Sequence, residues 1–360
     1  MSAKGEVRLG IVGCGGISHA HAGAAQATGG KVGFVACCDV AEDRAREWAA
    51  RYGCGAAYTD YLEMIRREKL DGVLLATWPN QHREQIERCL DAGARNILCE
   101  KALTLTGREA AEILRLVRKA GALVMEGFMY RHHPAVRKLE EVLARGELGP
   151  VDNVRACFSA FDPETAPADD GSRNWRQRKE CGGGIPYDFA CYAVNACQHF
   201  IGELPARAFA VGNVSDRYGT VNRLYGMVEY EGGRVGIIES SKKSMFTQEL
   251  QITCAAGVLN LPIAWTIPEQ IDIEERPDAG WAKIRRNMHR VPRANPYQLQ
   301  LENFADCVRG RARPLLPLAE SVVNTFTLEA LVRAVGRKTG ADIKIPEAIQ
   351  DAWRDARDAH

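Results

Sequence analysis

The chain has 360 residues, of which 46% are hydrophobic and 26% charged, with a formal net charge of +1. That length exceeds what one core usually serves, so two domains are expected, and the apolar content argues against disorder. A net charge so close to zero gives no global field to draw nucleic acid or an anionic membrane surface, which leaves small molecules or further copies of the chain as expected partners. The opening residues, Met1 to Glu6, carry no apolar leader and no run reaches membrane-spanning length, so a cytoplasmic protein is expected.

In chain order, the apolar run Val7 to Val12 reads as a strand and breaks into Gly13-Cys14-Gly15-Gly16-Ile17-Ser18. A second apolar run, Gly33 to Cys38, ends in Asp39. Glycines after a strand let the backbone turn tightly and approach a pyrophosphate. The next helix then offers unbonded N–H groups, and a carboxylate at the second strand's end can hold a ribose 2′-hydroxyl. The pattern therefore predicts a dinucleotide site. Asp39 would repel a 2′-phosphate, which favours NAD over NADP, with Arg44 one turn on as the nearest cation that could blunt the preference.

Alternation continues with strands at Asp71 to Thr77, Asn96 to Lys101 and Ala122 to Met129, and helices at Gln81 to Ala92 and Thr106 to Ala120. Strands alternating with helices predict a doubly wound parallel sheet, and ligands bind at the carboxyl ends of such strands. The positions of interest are then Gly13 to Ser18, Asp39, Thr77 to His82, Glu100-Lys101 and Glu126 to His133.

A helix is expected over Pro134 to Arg145, after which the character changes. Val151 to Phe161, Ala206 to Val214, Arg223 to Tyr230, Arg234 to Ser240, Glu249 to Ala255 and Gly257 to Leu261 read as strands without intervening helices, which predicts an antiparallel sheet. Helices are expected from Tyr187 to Phe200 and from Leu318 to Arg337. The fold class is thus an α/β Rossmann domain followed by an α+β domain with a large, mainly antiparallel open sheet. The domains are expected at 1–130 for nucleotide binding and 131–360 for substrate binding and oligomerisation. Twelve cysteines form no Cys-x-x-Cys pair, and the close histidine pairs lack neighbouring ligands, so no metal is expected.

Two features carry chemistry. Glu100-Lys101 closes the fifth strand, where an ammonium could hydrogen-bond a substrate hydroxyl and share in its proton transfer; a plain strand-end ion pair is the alternative. In Gly182-Gly183-Gly184-Ile185-Pro186-Tyr187-Asp188-Phe189-Ala190-Cys191-Tyr192, Asp188 and Tyr192 lie four apart, so on an α-helix they share a face and could bind a diol. Their structural alternative is a carboxylate facing the helix N-terminus above a core tyrosine.

Taken together, Gly13-Cys14-Gly15-Gly16-Ile17, Cys38-Asp39, Thr77-Trp78-Pro79-Asn80 with His82, Glu100-Lys101, Tyr130-Arg131 and the triple glycine leading to Asp188 and Tyr192 resemble the glucose-fructose oxidoreductase, inositol dehydrogenase and rhizopine-catabolism (Gfo/Idh/MocA) family across nearly the whole chain. Tyrosine at 192, where many members have histidine, is similar to the branch with dihydrodiol and xylose dehydrogenases. The resemblance implies an NAD(P)-dependent oxidoreductase acting on a ring carbinol or ketone of a sugar, keto-sugar or cyclitol, with Lys101, Tyr192 and Asp188 catalytic. It implies cofactor contacts from Gly13, Gly15, Gly16, Ile17, Asp39, Thr77, Trp78, Asn80, His82, Glu100, Lys101 and Arg131. Substrate contacts are expected from Lys101, Tyr130, Trp175, Arg176, Asp188 and Tyr192, and a homodimer or homotetramer through the C-terminal sheet. Ala102 stands where the family usually has proline, which bears on whether the preceding peptide bond is cis.

Two other function classes share these residues: an NAD-dependent glycoside-cleaving enzyme working by transient oxidation, and a non-catalytic cofactor-sensing protein, which would typically lack the lysine or tyrosine. For the substrate, the basic stretches Asn174 to Lys179 and Lys283 to Arg293 raise the question of an anionic group, with Arg176 or Arg178 set against it. Trp175, Tyr187 and Trp265 are the candidates for stacking on a sugar ring.

Overall fold

The computed structural model describes residues 7–162, 175–275, 285–337 and 339–359. They form two compact units, the first built from residues up to Thr104, Arg108–His132 and Asn295–Ser321, the second from Leu105–Gly107, His133–Ala294 and the chain from Val322 onward.

The first unit opens β1 (Val7–Val12), α1 (Gly16–Ala27), β2 (Val32–Cys38), α2 (Glu42–Tyr52), β3 (Ala56–Tyr58), α3 (Tyr61–Arg67) and β4 (Gly72–Leu75). It goes on through α4 (Pro79–Asp91), β5 (Asn96–Cys99), α5 (Gly107–Ala120), β6 (Leu123–Glu126) and a 3-10 turn at Met129–His132. Strands β3-β2-β1-β4-β5-β6 lie side by side in that order and all run parallel. Their near-continuous apolar runs follow from burial on both faces, and Leu9, Ile11, Leu74, Leu98 and Met125 sit in one core. The order reverses between β1 and β4, the topological switch at which doubly wound sheets take their ligands.

The second unit contains α6 (Pro134–Ala144), β7 (Val151–Ser159), a π-helical turn (Pro186–Ala190) running into α7 (Cys191–Ile201), then β8 (Pro205–Val214), β9 (Val221–Tyr230), β10 (Val235–Ser241), β11 (Thr247–Cys254), β12 (Gly257–Leu261), β13 (Gln270–Glu275) and β14 (Arg285–Arg290). The chain returns to the first unit through α8 (Pro296–Val308), whose Leu301 and Phe304 join the core beneath the parallel sheet. No expectation from sequence included that return. Helix α9 (Leu318–Arg337), the short β15 (Ala341–Asp342) and α10 (Glu347–Asp358) finish the chain.

Among the described residues the second sheet has nine strands in the order β14-β13-β12-β11-β7-β10-β9-β8-β15. All its ladders are antiparallel except β7–β10, which is parallel. Its side chains alternate between faces. Val154, Ala156, Val228, Ile238, Leu250 and Ile252 are buried, and α7 packs over β7 and β10. Val211, Tyr225 and Met227 point the other way and are exposed.

One expected helix and three expected strands change. The helix read from Tyr187 to Phe200 begins instead as the π-turn, so Asp188 and Tyr192 are not related by a regular α-helical repeat. Strands expected to reach Thr77, Lys101 and Met129 stop at Leu75, Cys99 and Glu126, because the backbone leaves the ladder to form the loops that carry the candidate residues.

Candidate functional site

At the β1 end, Gly13 has φ +94°, and a Cβ there would lie 2.6 Å from the Ala76 carbonyl oxygen, so the turn demands glycine. Around Gly15 and Gly16 nothing lies within 4 Å of a built Cβ. Gly15 caps α1 without a side-chain hydrogen bond, so the first N–H groups of the helix face an open cradle. Ile17 packs its side chain against the core and fixes this turn from below. Cys14 N donates to Asp39 Oδ2 at 3.0 Å and Ala41 N donates to Oδ1 at 2.9 Å, which pins the carboxylate at the β2 end. The Arg44 guanidinium approaches it at 3.4 Å. A bare-backbone cradle, a helix N-terminus and a fixed carboxylate on the next strand suit the pyrophosphate and ribose of a dinucleotide.

Two loops flank this turn. Thr77 Oγ1 donates to Gln85 at 2.5 Å, Trp78 caps α4, and Asn80 is exposed in the helix's first turn. His82 is wholly buried and its ring nitrogens face the carbonyl oxygens of Thr77 (3.2 Å), Ala102 (3.0 Å) and Leu103 (3.2 Å). The ring lies between the Thr77 loop and the Lys101 loop, and burial lowers its pKa, so the neutral ring has one N–H to donate, to one loop at a time.

Lys101 follows β5, and the Lys101–Ala102 peptide bond is cis. Its backbone N–H donates to Glu100 Oε2 at 3.2 Å, while Glu100 Oε1 meets His21 Nε2 of α1 at 2.6 Å in a buried pair. Glu126, at the end of β6, accepts from Leu103 N at 2.7 Å. Sequence reading missed His21; it lies one turn past the glycines on the buried side of α1, and only the fold brings it to Glu100. Tyr130 is wholly buried, edge-on to Phe128. Arg131 is buried too, donating to Glu320 at 3.1 Å and to the Leu315 carbonyl at 3.2 Å, so its guanidinium ties the 3-10 turn to the start of α9. Tyr130 and Arg131 thus support the first unit from within.

In the second unit, Asp188 and Tyr192 are 1% and 4% exposed, on the π-turn and the first turn of α7. Tyr192 is set among rings, with Phe158 at 5.3 Å and Trp265 at 5.9 Å. Arg176 Nε donates to Asp188 Oδ2 at 2.6 Å and Nη2 to Oδ1 at 3.4 Å, with the guanidinium over the Trp175 ring. Arg176, one of the two arginines considered for a substrate anion, lies against the chain's own Asp188 carboxylate. Trp265 is fully buried and donates to the Cys157 carbonyl, which makes it core, and the Tyr187 hydroxyl donates to the Leu105 carbonyl. Gly184 has φ +101° and a Cβ would sit 2.7 Å from the Val221 oxygen, so the glycine run serves close backbone packing. Of the basic stretches, Asn174 and Lys283 lie outside the described residues, while Arg286 and Arg293 meet Glu274 and Glu269. All twelve cysteines are free thiols, mostly buried, and burial drives Cys38 and Cys89 each to about 12, so they behave as small apolar residues.

The structure therefore groups the candidates unit by unit. The glycine turn, Asp39, Thr77, His82, Glu100 and Lys101 belong to the first, and Trp175, Arg176, Asp188 and Tyr192 to the second. Comparison with known proteins gives a consistent answer for both. Residues 7–128 match the model of an oxidoreductase family with an NAD-binding Rossmann fold, and residues 136–260 match the GFO/IDH/MocA C-terminal domain. The chain is 29% identical over 304 residues to a D-xylose 1-dehydrogenase (NADP(+)) of Haloferax volcanii, covering 84% of this chain and 89% of that protein. It is 27% identical over 297 residues to a trans-1,2-dihydrobenzene-1,2-diol dehydrogenase of Mus musculus, covering 82% and 86%. Among solved structures, a levoglucosan dehydrogenase in complex with NADH superposes with a TM-score of 0.83 at 18% identity, covering 95% of this chain and all of that one, which speaks to the fold.

Proposed function

The chain belongs to the Gfo/Idh/MocA family of NAD(P)-dependent oxidoreductases, and from that premise we propose that it interconverts a ring carbinol and ketone of a sugar, keto-sugar or cyclitol. The observation that carries this reading is the pair Asp188 and Tyr192, an acid and a phenol buried on adjoining helical turns among aromatic rings, in a chain that also keeps Lys101 at the end of β5. When bound, the dinucleotide's nicotinamide supplies or takes up the hydride. Gly13, Gly15, Gly16 and the α1 N-terminus would hold its pyrophosphate, and Asp39 its adenosine ribose.

In this reading the Lys101 ammonium and the Tyr192 hydroxyl manage the proton of the reacting hydroxyl, and Asp188 accepts a hydrogen bond from a neighbouring hydroxyl. Arg176 holds the Asp188 carboxylate aligned until a substrate hydroxyl reaches it. The anion at Asp39 favours NAD over NADP, since a 2′-phosphate there meets a like charge. Arg44, already drawn to Asp39, is the group that would admit NADP. Exposed Val211, Tyr225 and Met227 on the open sheet face support association of copies through that face.

The test is absorbance at 340 nm with NAD and NADP, oxidised and reduced, against sugars, keto-sugars and cyclitols. A substrate-dependent change is expected, faster with NAD, falling at least 100-fold in Lys101→Ala and Tyr192→Phe. A flat trace with every substrate class, or full activity in both variants, would sink the reading.

A further inference from the structure

Lys101 is carried on a turn that three buried side chains hold from three different elements. Glu100 accepts the Lys101 N–H at 3.2 Å and is itself held by His21 of α1. His82 of α4 bonds the carbonyl oxygens of Ala102 and Leu103. The third side chain is Glu126, directly across the sheet from Cys99 in the β5–β6 ladder and 1% exposed. Its Oε1 accepts the Leu103 N–H at 2.7 Å, so it holds the far side of the turn, two residues past the lysine.

Neither the family match nor the proposed chemistry uses Glu126. A buried carboxyl is costly where nothing requires it, because an alkyl side chain of similar size would fill the same space without desolvating a polar group. The Leu103 N–H is what requires it here: without an acceptor this buried donor would be left unsatisfied. The two carboxyls thus hold the turn at successive points, Glu100 at Lys101 and Glu126 at Leu103.

We propose that Glu126 is a positioning residue for Lys101: by accepting the Leu103 N–H it sets the turn that aims the lysine side chain. The inference rests on the reading that Lys101 handles the substrate hydroxyl. The groups facing Glu126 are Cys99, Glu100 and Lys101 from the end of β5 and Ser321 from α9, with Glu320 beside Ser321 paired to Arg131 and Glu100 paired to His21. Burial is the largest influence on its carboxyl and raises it from 4.5 to about 8, so around neutrality the group is chiefly an uncharged acceptor. The amide of glutamine reproduces that role. The shorter aspartate does not reach as far.

The experiment compares Glu126→Gln and Glu126→Asp in the full-length protein, with Lys101→Ala as reference. Four quantities are read: kcat and KM at 340 nm, nucleotide affinity by titration of the free protein, and hydrogen exchange of the Leu103 amide without substrate. Glu126→Gln should stay within threefold of the parent in kcat and keep Leu103 protected. Glu126→Asp should lose at least tenfold in kcat, with nucleotide affinity changed less than threefold and Leu103 exchange accelerated. Equal kcat in Glu126→Asp and the parent, with Lys101→Ala inactive, overturns the positioning role while leaving the proposed function standing. If Lys101→Ala is fully active, the proposed function fails. The exchange data then still decide whether Glu126 holds the turn. Loss of kcat in Glu126→Gln alone would mean that charge and not reach matters, which also overturns it.

Discussion

A carboxyl that folding keeps protonated makes stability depend on pH, and Glu126 is such a group. With its pKa raised to about 8, the folded chain binds this proton between pH 4.5 and 8 while the unfolded chain releases it. The contribution is therefore fully present below 4.5 and is lost as pH rises through about 8, at up to ~1.4 kcal/mol per pH unit across that window. Urea unfolding at pH 5, 7 and 9 is expected to show the parent losing stability relative to Glu126→Gln as pH rises, with the two closest at pH 5. A difference that stays constant across the three pH values would mean the group is ionised throughout. At this scale the sequence was informative wherever one segment carries the signal. Asp39 and Lys101 stand out because strand ends are legible in apolar runs, and Asp188 and Tyr192 stand out after the triple glycine, although the π-turn removes the α-helical repeat that their spacing implied. Glu126 fell within a strand-end window, yet its role depends on Leu103, and His21 depends on Glu100 79 positions away. Local sequence likewise does not reveal that Asp188 comes within 2.6 Å of Arg176.

Elements show the same division between local and distant information. Strands β1 and β12 and helix α9 have the bounds that the apolar patterns predict, since each is set by its own residues. Helix α8 was not legible: Tyr297, Leu299 and Leu301 alternate as in a strand, whereas its buried residues are Pro296, Gln300, Leu301, Phe304 and Ala305. Strand β14, Arg-Arg-Asn-Met-His-Arg, is almost wholly exposed and polar, and pairing with β13 alone makes it a strand. The parallel pairing of β7 with β10 is likewise invisible to any local pattern. The glycine turn illustrates how two glycines of one motif can serve different ends. Gly13→Ala puts a methyl 2.6 Å from a backbone oxygen at φ +94° and should cost about 1–3 kcal/mol in urea unfolding. Gly15→Ala meets open space at an ordinary φ of −81°, so its urea midpoint should match the parent while NAD affinity falls at least tenfold. Unchanged NAD affinity in Gly15→Ala would remove this turn as the pyrophosphate cradle.

For the molecule as a whole, the open face of the nine-stranded sheet is the surface with unfinished business. Register places Phe209, Met227, Ile237, Arg155 and Gln251 in one row and Val211, Tyr225, Glu239, Cys157 and Glu249 in the next. Each row is apolar toward β8 and β9 and polar toward β7 and β11, and Arg155 is paired with Glu239 at 2.6 Å where the halves meet. The opposite face is buried, so the sheet needs no further cover for its own core. An apolar half with Val211 66% and Met227 41% exposed costs solvation unless another surface covers it. A second copy presenting the same half through a two-fold axis would bury apolar rows against each other and leave the charged halves toward the rim. Light scattering with size exclusion should then give at least twice the chain mass of 39.6 kDa, and Met227→Glu should shift it to one chain mass by burying like charges across the axis. A parent protein that elutes at one chain mass at 50 μM would leave this face exposed in solution and the association proposal without support.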